Sequence, residues 1–190
     1  MWPWGHAAVG YLLWSLWVRW RDGRAPTAGV VLPLALGTQF PDLVDKPLAW
    51  TFSVLPSGRA GAHSLLVAVP LLAVLWWRFD SPTERRAWVG FAIGYLAHLA
   101  TDGLYPLLDG EFADLSYLLW PALKLPAYEE STGIIGHFLA ADITLALLAE
   151  LLLFAAVTLL WAVDGAPGLR AIGRWCKRRA DGASTALSSR

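Results

Sequence analysis

The chain has 190 residues, of which 56% are hydrophobic and only 16% charged, with 12 tryptophans and a formal net charge of zero. A soluble domain is nearer a quarter charged, and a neutral chain has no global attraction for nucleic acid. Composition therefore points to one membrane-embedded domain, and the single Cys176 excludes an intramolecular disulfide framework or a thiolate metal cluster.

Five apolar stretches follow in chain order. The first covers about 3–18 and ends at the basic "RWRDGR". It has no basic segment before it and no small-residue cleavage site, so it reads as a retained first span. The second, about 27–41, is short and interrupted by Pro33; the third, about 64–77, contains Pro70. The fourth, about 87–104, carries Gly90 and Gly94 four residues apart, a small-residue pair that lets another helix approach closely. The last, about 134–163, exceeds the ~20 residues that a bilayer requires. Tryptophans beside basic residues (Trp17, Trp20, Trp76, Trp77, Trp161 and Trp175) match interfacial belts. The expected fold is an all-α integral membrane bundle of about five transmembrane helices. Residues 1–163 form that domain, and 164–190 form a basic, partly disordered tail that can rest on anionic headgroups.

Charge sets the orientation. If the spans alternate, one side receives twelve of the 15 Lys and Arg residues, and the other only Lys46, Arg59 and Lys124. The positive-inside rule then puts the N-terminus outside and the tail in the cytoplasm, in a multi-pass cytoplasmic-membrane protein.

On that topology every histidine falls at the outer face. His6 is near the outer end of the first span, His63 opens the third, His98 lies in the outer part of the fourth, and His137 starts the fifth. Asp42 follows the second span. Asp102 shares a helical face with His98 one turn away. Histidine is the commonest metal ligand, and mixed His/Asp shells suit zinc, manganese or iron. Each position also has a plainer reading. His98 and Asp102 can be a hydrogen-bonded helix pair, His6 an interfacial residue, Pro41-Asp42 a helix stop, "PSGR" at 56–59 a turn, and His137 a partner for a neighbouring span. Their convergence on one face favours a shared cation.

The early His6, "PDLVD" at 41–45, "GRAGAHS" at 58–64 and "GYLAHLATD" at 94–102 resemble the predicted membrane-bound metal-dependent hydrolases. The likeness covers about 6–102. That family's pattern is in turn similar to the metal shell of zinc-dependent phospholipase C enzymes. The remoter likeness implies His6, Asp42, His63, His98 and Asp102 as metal ligands. The chain lacks two parts of that pattern: a freed N-terminal Trp amine, and an acid after His137, where Ala141 stands. One or two divalent ions, zinc first, are therefore expected.

The leading expectation is a hydrolase at the outer face that uses metal-activated water on an ester, with a phosphate ester of a membrane lipid or small metabolite first. Asp102 is the natural bridging carboxylate. Asp45 is expected to orient or deprotonate the water, Arg59 to hold a phosphoryl group, and Ser64 to hydrogen-bond a ligand. The segment 105–133 is expected to lie on the membrane surface and roof the site. Two rivals stand beside this: a metal-stabilised scaffold without activity, and a small transporter using Asp142 and Glu150 as a relay. Oligomeric state is not legible in the sequence.

Overall fold

The structure is a computed structural model that describes residues 1–126, 136, 139, 142–169, 171–173 and 176–178. Among these the regular structure is entirely helical. The helices are α1 (Pro3–Asp22), α2 (Ala28–Trp50), α3 (Leu65–Arg78), α4 (Pro82–Asp102), α5 (Leu104–Asp109) and α6 (Leu145–Val163), with 3-10 segments at Gly61–His63 and Phe112–Leu119.

Local chemistry sets several of these boundaries. Pro3 opens α1, where a missing N–H costs nothing, and Gly23 closes it with a left-handed φ of 63°. Ser64 accepts a hydrogen bond from the Leu66 amide to start α3. Ser81 and Glu84 form a reciprocal capping box at the start of α4, and Thr144 caps α6.

Two expected boundaries move. The chain does not stop at Pro41: α2 runs through Pro33, Pro41 and Pro47 to Trp50. Asp42 and Asp45 are therefore helical residues. In the last apolar stretch Asp142–Thr144 are not helical, and α6 begins at Leu145. The expected start of that span at 134, and His137, lie outside the described residues.

Packing runs in alternating directions. Helices α2 and α4 are parallel and in step: Val30 meets Gly90, Leu34 meets Gly94, and Thr38 meets His98. The small-residue expectation holds here, because a Cβ on Gly90 or Gly94 would overlap the carbonyl oxygen of Val30 or Leu34. Helix α1 runs against α2, with Gln39 Nε2 donating to the Pro3 carbonyl at 3.0 Å. Helix α3 runs against α4, tied by Trp88 Nε1 to the Leu72 carbonyl at 2.9 Å.

Helix α6 lies parallel to α1 and is pinned at both ends. The Trp2 amide donates to Glu150 Oε2 at 2.9 Å. At the far end Asp164 accepts from Tyr11 Oη at 2.6 Å, Ser15 Oγ at 3.1 Å and the Arg19 guanidinium. One end of the bundle thus collects the starts of α1, α3 and α6 and the finishes of α2 and α4. Arg19, Arg21, Arg24, Arg78, Arg85 and Arg86 gather at the other.

Helix α6 has 19 residues and is apolar enough to cross a membrane, and little of it is covered by the rest of the protein. At ~1.5 Å per residue it spans nearly 30 Å. Among the described residues it is the one helix that meets both conditions; α3 is apolar but has only 14 residues.

Gly94→Leu is expected to destabilise the bundle by about 1–3 kcal/mol, the usual range for overpacking. Gly29→Ala should change little, since nothing lies near a Cβ there. Thermal unfolding of the purified variants in detergent checks both, and equal midpoints would contradict the packing described.

Candidate metal centre

His6, Asp42, His63, His98 and Asp102 come together at the end of the bundle opposite the arginines, and all are buried or nearly so. Four separate elements deliver them: α1, α2, the 3-10 turn before α3, and α4.

Each imidazole is held by its Nδ1 edge. His98 Nδ1 donates to the Thr38 carbonyl at 2.7 Å, a contact that the close α2–α4 packing makes available. His6 Nδ1 lies 2.8 Å from Thr101 Oγ1, whose own proton is held by the carbonyls of Ala97 and His98. That hydroxyl therefore accepts from the ring. His63 Nδ1 donates to Asp45 Oδ2 at 2.8 Å. These partners assign the Nδ1–H tautomer to all three rings and leave their Nε2 atoms to face two overlapping groups of donors.

The carboxylates complete the set. Asp102 Oδ2 is 3.4 Å from His63 Nε2 and 3.7 Å from His98 Nε2. Asp42 Oδ1 is 3.5 Å from His63 Nε2 and 3.8 Å from His98 Nε2, and the two Nε2 atoms are 3.2 Å apart. Metal–ligand bonds near 2.1 Å give tetrahedral edges of about 3.4 Å. Five separations among these four atoms fall between 3.2 and 3.8 Å, close to that edge length, so the buried donors could hold a divalent ion.

Asp102 Oδ1 faces the other way, 3.2 Å from His6 Nε2 and 3.0 Å from the Met1 amine. His6 Nε2 is buried without a hydrogen-bond partner. His6, His98 and Asp102 make a second cluster of donor atoms that overlaps the first cluster of Asp42, His63 and His98. These buried groups can hold a metal ion, and Asp102 reaches both clusters through different oxygens.

The surrounding charges are balanced. Lys46 Nζ pairs with Asp42 Oδ2 at 2.6 Å, and Arg59 Nε lies 3.4 Å from Asp102 Oδ2. Burial alone lowers the pKa of His63, but its hydrogen bonds to Asp102, Asp42 and Asp45 outweigh this and raise it to about 10. A proton on His63 Nε2 thus occupies the place a cation would take.

Three expectations are corrected by this geometry. Asp45 does not face the centre: it accepts from the Ala62 amide at 2.8 Å, the His63 amide at 3.0 Å and His63 Nδ1. Its oxygens are taken up in orienting His63. Gly61, at a left-handed φ of 53°, makes the turn that aims those amides at Asp45. Ser64 does not bond a ligand either; it caps α3 and donates to the Trp120 carbonyl at 2.6 Å. The proposed relay acids are separate: Asp142 is exposed before α6, whereas Glu150 is buried and accepts from Trp2 and Tyr105. The 3-10 segment after α5 does pack at this end, with Tyr117 Oη donating to the Leu99 carbonyl at 2.7 Å and its ring near His63.

Thr38, Thr101 and Lys46 were missed from sequence. Only Lys46 carried a readable signal, four residues after Asp42 on a helix.

A family model described as YdjM inner membrane protein matches residues 1–170. The chain belongs to this family. It is therefore a membrane protein of an inner-membrane family, and that description carries no likeness to hydrolases or phospholipases. No curated protein and no solved structure gives a significant match.

Protein purified without chelators is expected to carry zinc or a similar divalent ion, and His98→Ala, which removes the donor common to both clusters, should lose it. Binding displaces the His63 proton, so below pH 10 affinity should rise with pH, by up to about tenfold per unit for one proton released. Elemental analysis and chelator competition across pH 6–9 check this. A pH-independent affinity would contradict the assignment.

Proposed function

We propose that the protein is a membrane-embedded metal-dependent hydrolase acting on a phosphate or other ester of a lipid or small metabolite. The observation that carries this reading is the buried convergence of His63 Nε2 and His98 Nε2 with Asp42 Oδ1 and Asp102 Oδ2, in two overlapping groups of donors, with a further imidazole and an arginine beside them. Zinc fits the two-nitrogen, two-oxygen donors best. A second ion would be held by His6 and Asp102, with His98 shared between the two groups of donors. Bound there, such ions supply Lewis-acid activation of water and of an ester oxygen.

The chain's own residues supply positioning. Asp45 holds His63 in the tautomer that offers Nε2, as carboxylates behind metal-bound histidines do. Thr38 and Thr101 do the same for His98 and His6. Arg59 is one-third exposed beside Asp102, so its guanidinium stands between the donors and solvent. Its planar fork suits the oxygens of an incoming phosphoryl group. Activity on phosphoesters presented in mixed micelles should therefore fall about 10–100-fold in Arg59→Ala through loss of this charge-assisted pairing, with metal content retained. Full activity in that variant would remove Arg59 from the reading.

A second reading, an inactive scaffold, draws support from the same donors, because four protein ligands could close a structural site. One tightly held ion with no turnover of any phosphoester favours the scaffold; two ions with turnover favour the enzyme.

The alternating helix directions and the separation of arginines from the carboxylate-rich end support a five-span topology with the metal centre outside. Cys176 is exposed and is the sole cysteine, so it reports the tail directly. An impermeant maleimide should leave it unlabelled in intact spheroplasts and modify it once the membrane is opened. Labelling of intact spheroplasts would reverse the orientation.

A further inference from the structure

At the arginine-rich end, an apolar cleft of about 270 Å³ opens between helices. Pro33 and Leu36 of α2 form one wall, Leu75 and Phe79 at the end of α3 the other, and Ala87, Trp88 and Phe91 of α4 the floor. Trp88 brings the one polar side-chain atom, and it is spent: Nε1 donates to the Leu72 carbonyl. Nothing in the cleft can satisfy water, whereas a hydrocarbon chain loses nothing by entering.

The mouth has the opposite chemistry. Arg78 precedes the wall residue Phe79, and Arg85 and Arg86 precede the floor residue Ala87. Arg85 is fixed at the rim, with Nε donating to the Phe79 carbonyl at 3.2 Å and its guanidinium 4.9 Å from the Trp76 ring. Of the two acids nearby, Glu84 is turned onto the Ser81 amide and hydroxyl, and Asp80 is exposed. Between Arg78 and Ala87, the segment that joins wall to floor, three arginines stand against two acids, so this edge of the cleft carries a net positive charge, with Arg85 fixed at the rim.

We infer that this cleft is a binding site for an anionic phospholipid, with one acyl chain between α2, α3 and α4 and the headgroup phosphate held by Arg78, Arg85 and Arg86. Charge complementarity selects the headgroup: guanidinium matches phosphate oxygens, a glycerol headgroup leaves the lipid net negative, and a choline headgroup puts a cation against the arginines. The site is at the opposite end of the bundle from the metal donors and shares no residue with them. It rests on the membrane family and the cleft, not on hydrolysis.

Native mass spectrometry of the detergent-purified full chain, with dioleoyl phosphatidylglycerol or dioleoyl phosphatidylcholine added in turn, tests it. Wild type is expected to retain phosphatidylglycerol at least threefold more than phosphatidylcholine. Ala87→Trp, which fills the cleft, should abolish that retention, and Arg85→Gln with Arg86→Gln should abolish the preference. Leu36→Trp fills the same cleft from an exposed position if the first variant does not fold. Equal retention of both lipids by wild type overturns the proposal, as does undiminished phosphatidylglycerol retention in either the cleft-filling or the arginine variant. Metal content measured on the same samples is expected to stay at the wild-type level; its loss in these variants would show that the two ends are not independent and overturn the separation.

Discussion

The cluster of buried His and Asp donors depends on how closely two backbones approach. Helices α2 and α4 run in step because Gly90 and Gly94 leave room for the carbonyls of Val30 and Leu34. One further turn along, the same register brings the Thr38 carbonyl within 2.7 Å of His98 Nδ1. That hydrogen bond decides which nitrogen of His98 carries its proton, and so which one faces the other donors. Gly37 adds to the approach from the α2 side, where a Cβ would overlap the Phe91 carbonyl. Side chains at these glycines would push the helices apart, and Asp42 would move away from His98 with them.

Burying this many ionisable groups is costly unless each has a partner. The arrangement answers that in two layers. The outer layer is fixed: Lys46 on Asp42, Arg59 on Asp102, and three amide or imidazole N–H groups on Asp45. The inner layer is exchangeable, because a proton on His63 and a divalent cation can serve the same position. A cation bound there would compete with that proton, as the expected pH dependence of binding tests.

Much of this was legible in the sequence, and the misses share a cause. His6, Asp42, His63, His98 and Asp102 are real neighbours in space, and the Gly90/Gly94 pair is a real helix contact. Patterns carried by one helix or by the whole chain's charge can be read from sequence spacing. Asp45 is expected from sequence to act on a water, whereas its part in holding His63 depends on a turn made sixteen residues later at Gly61, which brings the amides of Ala62 and His63 onto it. Pro41 suggested a helix stop, since a single proline usually weakens a helix; tertiary packing against α4 carries α2 through. Thr38 and Thr101 could not be singled out, because a hydroxyl or carbonyl that orients a ring differs in nothing, by sequence, from one that merely completes a helix.

The two ends of the bundle are built on different physics, and the helix directions keep them apart. The carboxylates and imidazoles gather at one end because α1 and α3 start there and α2 and α4 finish there. That alternation sends the ends of α1 and α3 and the start of α4, with their arginines, to the other. Asp164 shows the separation: at the far end of α6 its carboxylate is satisfied by Tyr11, Ser15 and Arg19, and it takes no part in the metal donors. Glu150, nearer the start of the same helix, is satisfied by Trp2 and Tyr105. The carboxylate on this apolar helix and the one that caps it are both hydrogen-bonded by α1 or its neighbours, so α6 can present hydrocarbon along most of its length while fixing the position of the helix that carries His6.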